Sequence, residues 1–309
     1  MTTARAVVFG YHNVGVRCLR VLLAHGVDVP LVVTHDDDPC EQRWFSRVAD
    51  VAREQQLDCI APDDPNAPGV LARVTALKPD FLFSFYFRKM LGPGLLALPR
   101  RGALNMHGSL LPRYRGRAPV NWAVLHGERE TGASLHYMTT KPDAGDLVAQ
   151  QAVPILPDDT AREVFDKVTV AAEIGLDRVL PALLAGSAPR VPQDLAAGSY
   201  FGARRPEDGR IDWSRDAQAI HDLVRAVAPP YPGARTSIAA RPARILRTRM
   251  LDARGSPGEA SLIVERGRLL AQAGGGGMLE LLALEIDGLG VTPDTFADRF
   301  GHGCLRLPS

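Results

Sequence analysis

The sequence predicts an α/β fold: a Rossmann-like, mostly parallel sheet with helices on both faces, followed by a small C-terminal β-barrel of the OB-like kind. Three observations predict it. Through the first half, short apolar β-branched runs alternate with stretches of helical periodicity, the pattern of parallel strands joined by helical crossovers. Those runs are apolar with little alternation, as strands buried on both faces require. From Pro229 onward, short β-type runs are separated by Gly and Pro, the pattern of a small barrel or sandwich.

The elements follow in order. Residues 5–10 (RAVVFG) read as a buried strand, and residues 14–25 place apolar side chains at helical spacing with Gly26 as C-cap. VPLVVTH is a second strand. RWFSRVADVAREQQ reads as a helix, and so does APGVLARVTALKPD, which Pro79 stops. DFLFSFYF is a long apolar strand, and GALNMHG is a short one that runs out into a loop. APVNWAVLHG reads as a short helix, TGASLHYM and DLVAQQAVPI as strands. Thr160 and Glu163 have capping-box spacing and open a helix that runs to about residue 185. Residues 186–210, rich in Pro, Gly and Ala, read as a linker, and residues 217–227 as a helix. The β-type runs ARTSI, ARILRTR, ASLIVERG, RLLAQAG and GMLELLALEI complete the chain, with the glycines at 274–277 as a flexible hairpin connection. This reading divides the chain into a catalytic domain, 1–200, and a linker helix plus small barrel, 201–309.

Composition narrows the function. The 309 residues are 46% apolar and 23% charged, an ordinary globular balance. A formal net charge of +1 gives no basic footprint for nucleic acid. The N-terminal apolar run is too short for a signal peptide, and no run approaches the ~18 apolar residues of a membrane span. Cys18, Cys40, Cys59 and Cys304 lack metal-ligand spacing, so they read as reduced thiols of a cytoplasmic protein that holds no metal. The turn Gly10-Tyr-His-Asn-Val-Gly15 carries His12 where a dinucleotide-binding turn has its middle glycine; a side chain there blocks close approach of a pyrophosphate.

The chemistry concentrates in residues 104–146. Asn105 and His107 flank Met106 at the carboxyl end of a predicted strand. At i and i+2 they share a face, and ligands of open α/β sheets bind beyond the strand ends. A loop stiffened by Pro112 and Pro119 then presents Arg113, Arg115 and Arg117, which suits an anion. Asp143 follows in a Lys-Pro-Asp-Ala-Gly turn. These residue types fit acyl transfer to an amine. Asn105 can donate to a developing oxyanion, His107 can donate or relay a proton, and an Asp beside it would orient the imidazole and favour its charged form. Each alone has a plainer reading: Asn105 and Asp143 as turn formers, His107 as an ordinary histidine, the arginines as a solvated face. The histidines at 12, 35, 126, 136, 221 and 302 stay at that plainer reading.

Taken together, Asn105-Met-His107-Gly-Ser-Leu-Leu-Pro112, Arg115-Gly116, Thr131-Gly132 and Asp143-Ala-Gly145 resemble the 10-formyltetrahydrofolate-dependent formyltransferases. That family includes methionyl-tRNA, glycinamide-ribonucleotide and sugar-nucleotide enzymes. VVFGYHNVG, SFYFRKML, HGSLLPRYRGRAPVNW, YFGARRPEDGRIDW and VRAVAPPYPGA are most similar to the UDP-4-amino-4-deoxy-L-arabinose formyltransferase domain of the bifunctional polymyxin-resistance protein, which acts in lipid A modification. The resemblance implies formyl transfer from 10-formyltetrahydrofolate to that sugar nucleotide. Asn105 would stabilise the transition state, His107 would be the proton donor, and Asp143 would raise the pKa of His107. It implies folate contacts at Lys89, Met90, Leu91, Arg117, Thr139, Thr140, Lys141 and Pro142. Arg115, Arg204 and Arg205 are candidates for the substrate diphosphate. The alternatives are a methionyl-tRNA formyltransferase and a non-catalytic nucleotide-binding protein of the same fold.

Overall fold

The computed structural model describes residues 3–37, 43–252 and 255–308; Cys40 lies outside them. The chain divides into two compact units, one of Met1–Pro119, Glu130–Pro154 and Phe165–Gly202, the other of Val120–Arg129, Ile155–Val164 and Ala203–Ser309.

The first unit is built on a seven-stranded sheet. In chain order its elements are β1 (Arg5–Gly10), α1 (His12–Ala24), β2 (Asp28–Val33), α2 (Val48–Glu54), β3 (Cys59–Ile60), α3 (Pro68–Leu77), β4 (Phe81–Phe85), α4 (Pro93–Leu96), β5 (Gly102–His107) and β6 (Arg115–Gly116). After α5 (Pro119–Leu125), which from Val120 on belongs to the second unit, come β7 (Glu130–Tyr137), β8 (Leu147–Pro154), α6 (Ala161–Ala185) and β9 (Tyr200–Phe201). The strand order is β3-β2-β1-β4-β5-β7-β8. The links from β3 to β5 are parallel, and β7 and β8 add antiparallel. All five residues of β4 and the last five of β1 are buried, which is why their sequence shows no alternation. Gly26 follows the first helix at φ 72, its N–H on the Leu23 carbonyl, as the C-cap reading expects. Thr160 and Glu163 exchange backbone-to-side-chain hydrogen bonds of 2.7 and 3.3 Å before α6, completing the capping box.

The second unit carries α7 (Ala217–Val227), β10 (Ala234–Ile238), β11 (Arg241–Asp252), β12 (Ser261–Glu265), β13 (Arg268–Gln272), β14 (Met278–Ile286), β15 (Leu289–Val291), α8 (Pro293–Phe300) and β16 (Leu305–Arg306). Its strands form a curled antiparallel sheet of order β10-β11-β14-β13-β12-β16, with β15 on β14, an OB-like half-barrel. Trp213 is fully buried in its core, and its indole N–H donates to Thr236 Oγ1 at 2.8 Å. Asp222 and Arg225 are both buried and pair at 2.7 Å.

The structure corrects the sequence reading in four places. Residues 43–47 are not helical; α2 starts at Val48, because Trp44 and Phe45 pack against the His12 ring at 4.4 and 4.0 Å instead. The 186–210 segment is no free linker: β9 pairs with β6 and Val191 bridges Leu147. The glycines at 274–277 do connect β13 to β14, but backbone bonds to Trp213, Arg215, Ala217 and Gly255 hold them, so the connection is not flexible. Helix α8, with a Thr292–Thr295 capping box, falls in a stretch where the sequence reading named no element. Among the described residues, no helix is long and apolar enough to cross a membrane.

Candidate active site

The parallel and antiparallel registers of one strand build the site. β5 lies between β4 and β7, with Ser84 opposite Asn105 on one side and His136 opposite Asn105 on the other. Directly opposed residues of an antiparallel pair share a face with close Cβ atoms. Asn105 Nδ2 therefore reaches His136 Nε2 at 3.2 Å. His107, two residues on, presents its ring to the same side, and the turn that carries Asp143 follows 38 positions after Asn105. Asp143 Oδ1 sits 3.4 Å from Asn105 Nδ2, 3.6 Å from His107 Nδ1 and 3.4 Å from His136 Nε2. Its other oxygen accepts the Gly116 N–H at 2.9 Å. Thus the structure brings Asn105, His107 and Asp143 together, and places His136 with them.

Hydrogen-bond partners set the proton positions. His107 Nε2 is 2.8 Å from the Tyr114 carbonyl, which only accepts, so Nε2 carries a proton and Nδ1 is the edge that gains or loses one. That edge faces the carboxylate. His136 Nδ1 likewise donates to the Tyr137 carbonyl at 2.8 Å, and its Nε2 faces both the Asn105 amide and the Asp143 carboxylate. Burial pushes the Asp143 carboxyl up. The opposing charge of His107, then the His136 ring and the Gly116 N–H, outweigh burial and hold the carboxyl well below the ordinary carboxylate range. Asp143 is therefore an anion at any working pH.

Two further features shape the surroundings. Asp143 has φ 51, the left-handed region that Asp tolerates better than most residues. A Cβ at Gly108 would come 2.1 Å from Tyr86 Oη, so only glycine fits directly after His107 while Tyr86 stands there.

The residues expected to meet folate occupy two loops. Lys89 Nζ donates to the Pro62 and Asp63 carbonyls, and Arg117 donates to the Arg88 carbonyl at 3.3 Å, joining its loop to the 88–91 segment. Met90 is 58% exposed, while Leu91 is buried in the core with Val70 and Leu95, so Leu91 offers a ligand only its backbone. His35 stacks on Phe87 at 4.0 Å and accepts the Arg88 N–H at 3.0 Å. Thr139, Thr140 and Lys141 are exposed and Pro142 half-buried in the segment leading to Asp143, where Thr139 Oγ1 donates to the Lys141 carbonyl at 2.9 Å.

Of the three arginines expected at the diphosphate, Arg115 is 8% exposed, its Nη2 is 3.5 Å from the Leu195 carbonyl, and its buried Nε has no hydrogen-bond partner among the described residues. Arg204 and Arg205 belong to the second unit. There Arg204 lies over the Trp122 ring and donates to the Asp208 carbonyl, and the Arg205 N–H is held by the Asp208 carboxylate at 2.6 Å. Among the described residues, no group of three His, Cys, Asp or Glu side chains could hold a metal ion.

The residue that sequence reasoning missed is His136. Its signal was the alternation of TGASLHYM, which puts Ser134 and His136 on one face; the register that opposes it to Asn105 was not legible.

Comparison with known proteins identifies the family. Residues 7–180 match the model of the formyl transferase family, and residues 204–298 match that of the formyl transferase C-terminal domain. An N-formyltransferase from Helicobacter canadensis, in complex with folinic acid and dTDP-3-aminofucose, is similar in structure (TM-score 0.74, 19% identity, 90% of this chain and 99% of that one covered). So is WlaRD, a sugar 3N-formyl transferase seen with dTDP and 5-N-formyl-THF (TM-score 0.72, 16% identity, 94% and 100% covered). A 4-N formyltransferase from Francisella tularensis aligns over 75% of this chain and 91% of its own (TM-score 0.61, 18% identity). With both of its units matched in turn, this chain belongs to the formyl transferase family.

Proposed function

We propose that the protein transfers the formyl group of 10-formyltetrahydrofolate to the primary amine of a nucleotide-activated amino sugar, with UDP-4-amino-4-deoxy-L-arabinose as the acceptor. The observation that carries this reading is the ionised Asp143 carboxylate set among Asn105, His107 and His136. The solved relatives, one with folinic acid and dTDP-3-aminofucose and one with 5-N-formyl-THF and dTDP, support the donor and acceptor classes.

The residues present fit the donor. A flat pterin needs an apolar surface and a few polar or backbone partners. The exposed Met90 side chain and the Thr139–Pro142 backbone supply both, and Lys89 and Arg117 are pinned to loop carbonyls beside them. When bound, the folate supplies the formyl carbon that the amine attacks.

The chain's own groups then act as follows. Asn105 has two amide hydrogens. One is directed to His136, and the other makes only a long 3.4 Å contact with Asp143. That second N–H is available to the formyl oxygen as negative charge grows on it, a contribution of about 10²–10³ in rate. His107 holds or releases its proton at Nδ1, since Nε2–H stays on the Tyr114 carbonyl. Asp143, fixed as an anion, favours the proton on that edge and orients the ring. Arg115, a buried guanidinium with an uncommitted Nε, suits a substrate diphosphate.

The test mixes the protein with 10-formyltetrahydrofolate and a panel of amines, and follows tetrahydrofolate release. The panel holds UDP-4-amino-4-deoxy-L-arabinose, dTDP-linked 3-amino and 4-amino sugars, and initiator methionyl-tRNA. Turnover fastest with the UDP sugar is expected. Turnover with methionyl-tRNA alone, or with none of them, overturns the reading. Arg115→Ala tests the diphosphate contact of the first unit, and should raise KM for the sugar nucleotide and leave that for the folate.

A further inference from the structure

We infer that Gln193 is a positioning residue for formyl transfer, acting on the reaction through Asp143. It lies in the 186–210 segment, outside every motif that points to the site. Val191 and Leu147 exchange backbone bonds of 2.8 and 2.9 Å, which docks this segment at the start of β8. Two residues on, the Gln193 amide nitrogen donates to the Asp143 carbonyl at 3.1 Å and to the Gly145 carbonyl at 2.6 Å. Both its hydrogens are used on the one turn that carries the carboxylate.

That turn needs holding. β7 ends at Tyr137 and β8 begins at Leu147, so strand pairing does not fix residue 143. Asp143 stands in the left-handed region, which an L-residue leaves readily when unrestrained. A Cβ at Gly145 would meet the Tyr137 carbonyl oxygen at 2.0 Å, so the chain passes too close there for any side chain. Gripping the carbonyls of 143 and 145 from one atom sets the turn's orientation, and so the distance from Asp143 to His107.

The chemistry of the amide suits the place. A single nitrogen with two hydrogens and no charge grips both carbonyls without adding a cation beside Asp143. A lysine or arginine would compete for the carboxylate, and a glutamate would have no hydrogens to give. The same segment also reaches the other half of the pair. Ser199 Oγ accepts the Tyr114 N–H at 2.8 Å, and Tyr114 supplies the carbonyl that orients His107. One stretch of chain thus restrains both the imidazole and the carboxylate.

The inference rests on the role given to Asp143 above, and a double-mutant cycle separates the two. Gln193→Ala and Gln193→Met, the second keeping volume but no donor, are made alone and with Asp143→Asn. The readout is kcat and KM with the fastest acceptor of the panel, beside a thermal melt. Misplacing a group by ~1 Å costs up to about 10²-fold. Each single variant should lose at least ~10-fold in kcat with KM values within about threefold, and less than twofold in the Asp143→Asn background, where no carboxylate remains to misplace. Equal losses in both backgrounds, parental kcat in Gln193→Met, or failure of both variants to fold overturns the inference and leaves Gln193 a structural residue. Parental kcat in Asp143→Asn alone instead sinks the reading of the site.

Discussion

Replacing Asp143 by Asn isolates the charge of the carboxylate. Asn is isosteric and tolerates φ near 51 as Asp does, and its side-chain oxygen can still accept the Gly116 N–H. What disappears is a unit charge 3.6 Å from His107 Nδ1. At an effective dielectric of ~20, that attraction is of order 4 kcal/mol for a protonated ring. Part of it is offset because the neutral amide relieves the desolvation of a largely buried carboxylate. A net 3–4 kcal/mol corresponds to a loss of about 10²–10³ in kcat. The assay is tetrahydrofolate release with saturating donor and acceptor, across pH. Since the folded carboxyl is held below its ordinary range, its contribution to stability is present above the usual aspartate pKa. It is lost as pH falls below that range towards the folded value. Asp143→Asn should therefore also flatten the acid side of the melting curve against pH. A folded variant with kcat within about threefold of the parent refutes the electrostatic reasoning.

Other expectations concern the surroundings. Gly108→Ala should lose roughly 1–3 kcal/mol by overpacking against Tyr86, and Tyr86→Phe, which removes the clashing oxygen, should restore part of it; urea unfolding of the single and double variants decides. Burial, with Lys89 and Arg88 nearby, pushes His35 down to about 4 from 6.5. A lowered folded pKa places its contribution above 6.5, to be lost as pH falls through the folded value. The melting temperature should thus fall with pH across that window, and less so in His35→Gln. Asp222→Ala should cost about 3–5 kcal/mol, because it leaves the Arg225 guanidinium buried without its carboxylate; chemical denaturation should show that loss, and a cost under ~1 kcal/mol would contradict it.

Much of the molecule was legible because its signals are local. The buried strands at 5–10 and 81–85 show as apolar runs, since both faces of a parallel sheet are covered. The capping box at Thr160 and Glu163 spans three residues, and its two hydrogen bonds formed as read. Asn105 and His107 declare a shared face through i, i+2 spacing alone. Trp44 and Phe45 misled, because a helical pattern of apolar residues cannot distinguish a helix face from side chains drawn into an aromatic cluster.

The residue types of the reaction, the strand that presents two of them and the class of fold were already written in the linear chain, because periodicity and spacing act over a few positions. The convergence of Asp143 on His107, the pairing of His136 with Asn105 and the grip of Gln193 on the 143–145 turn were not. Each depends on which strand lies beside which and in what register, and that is settled by burial of whole faces rather than by neighbours in sequence.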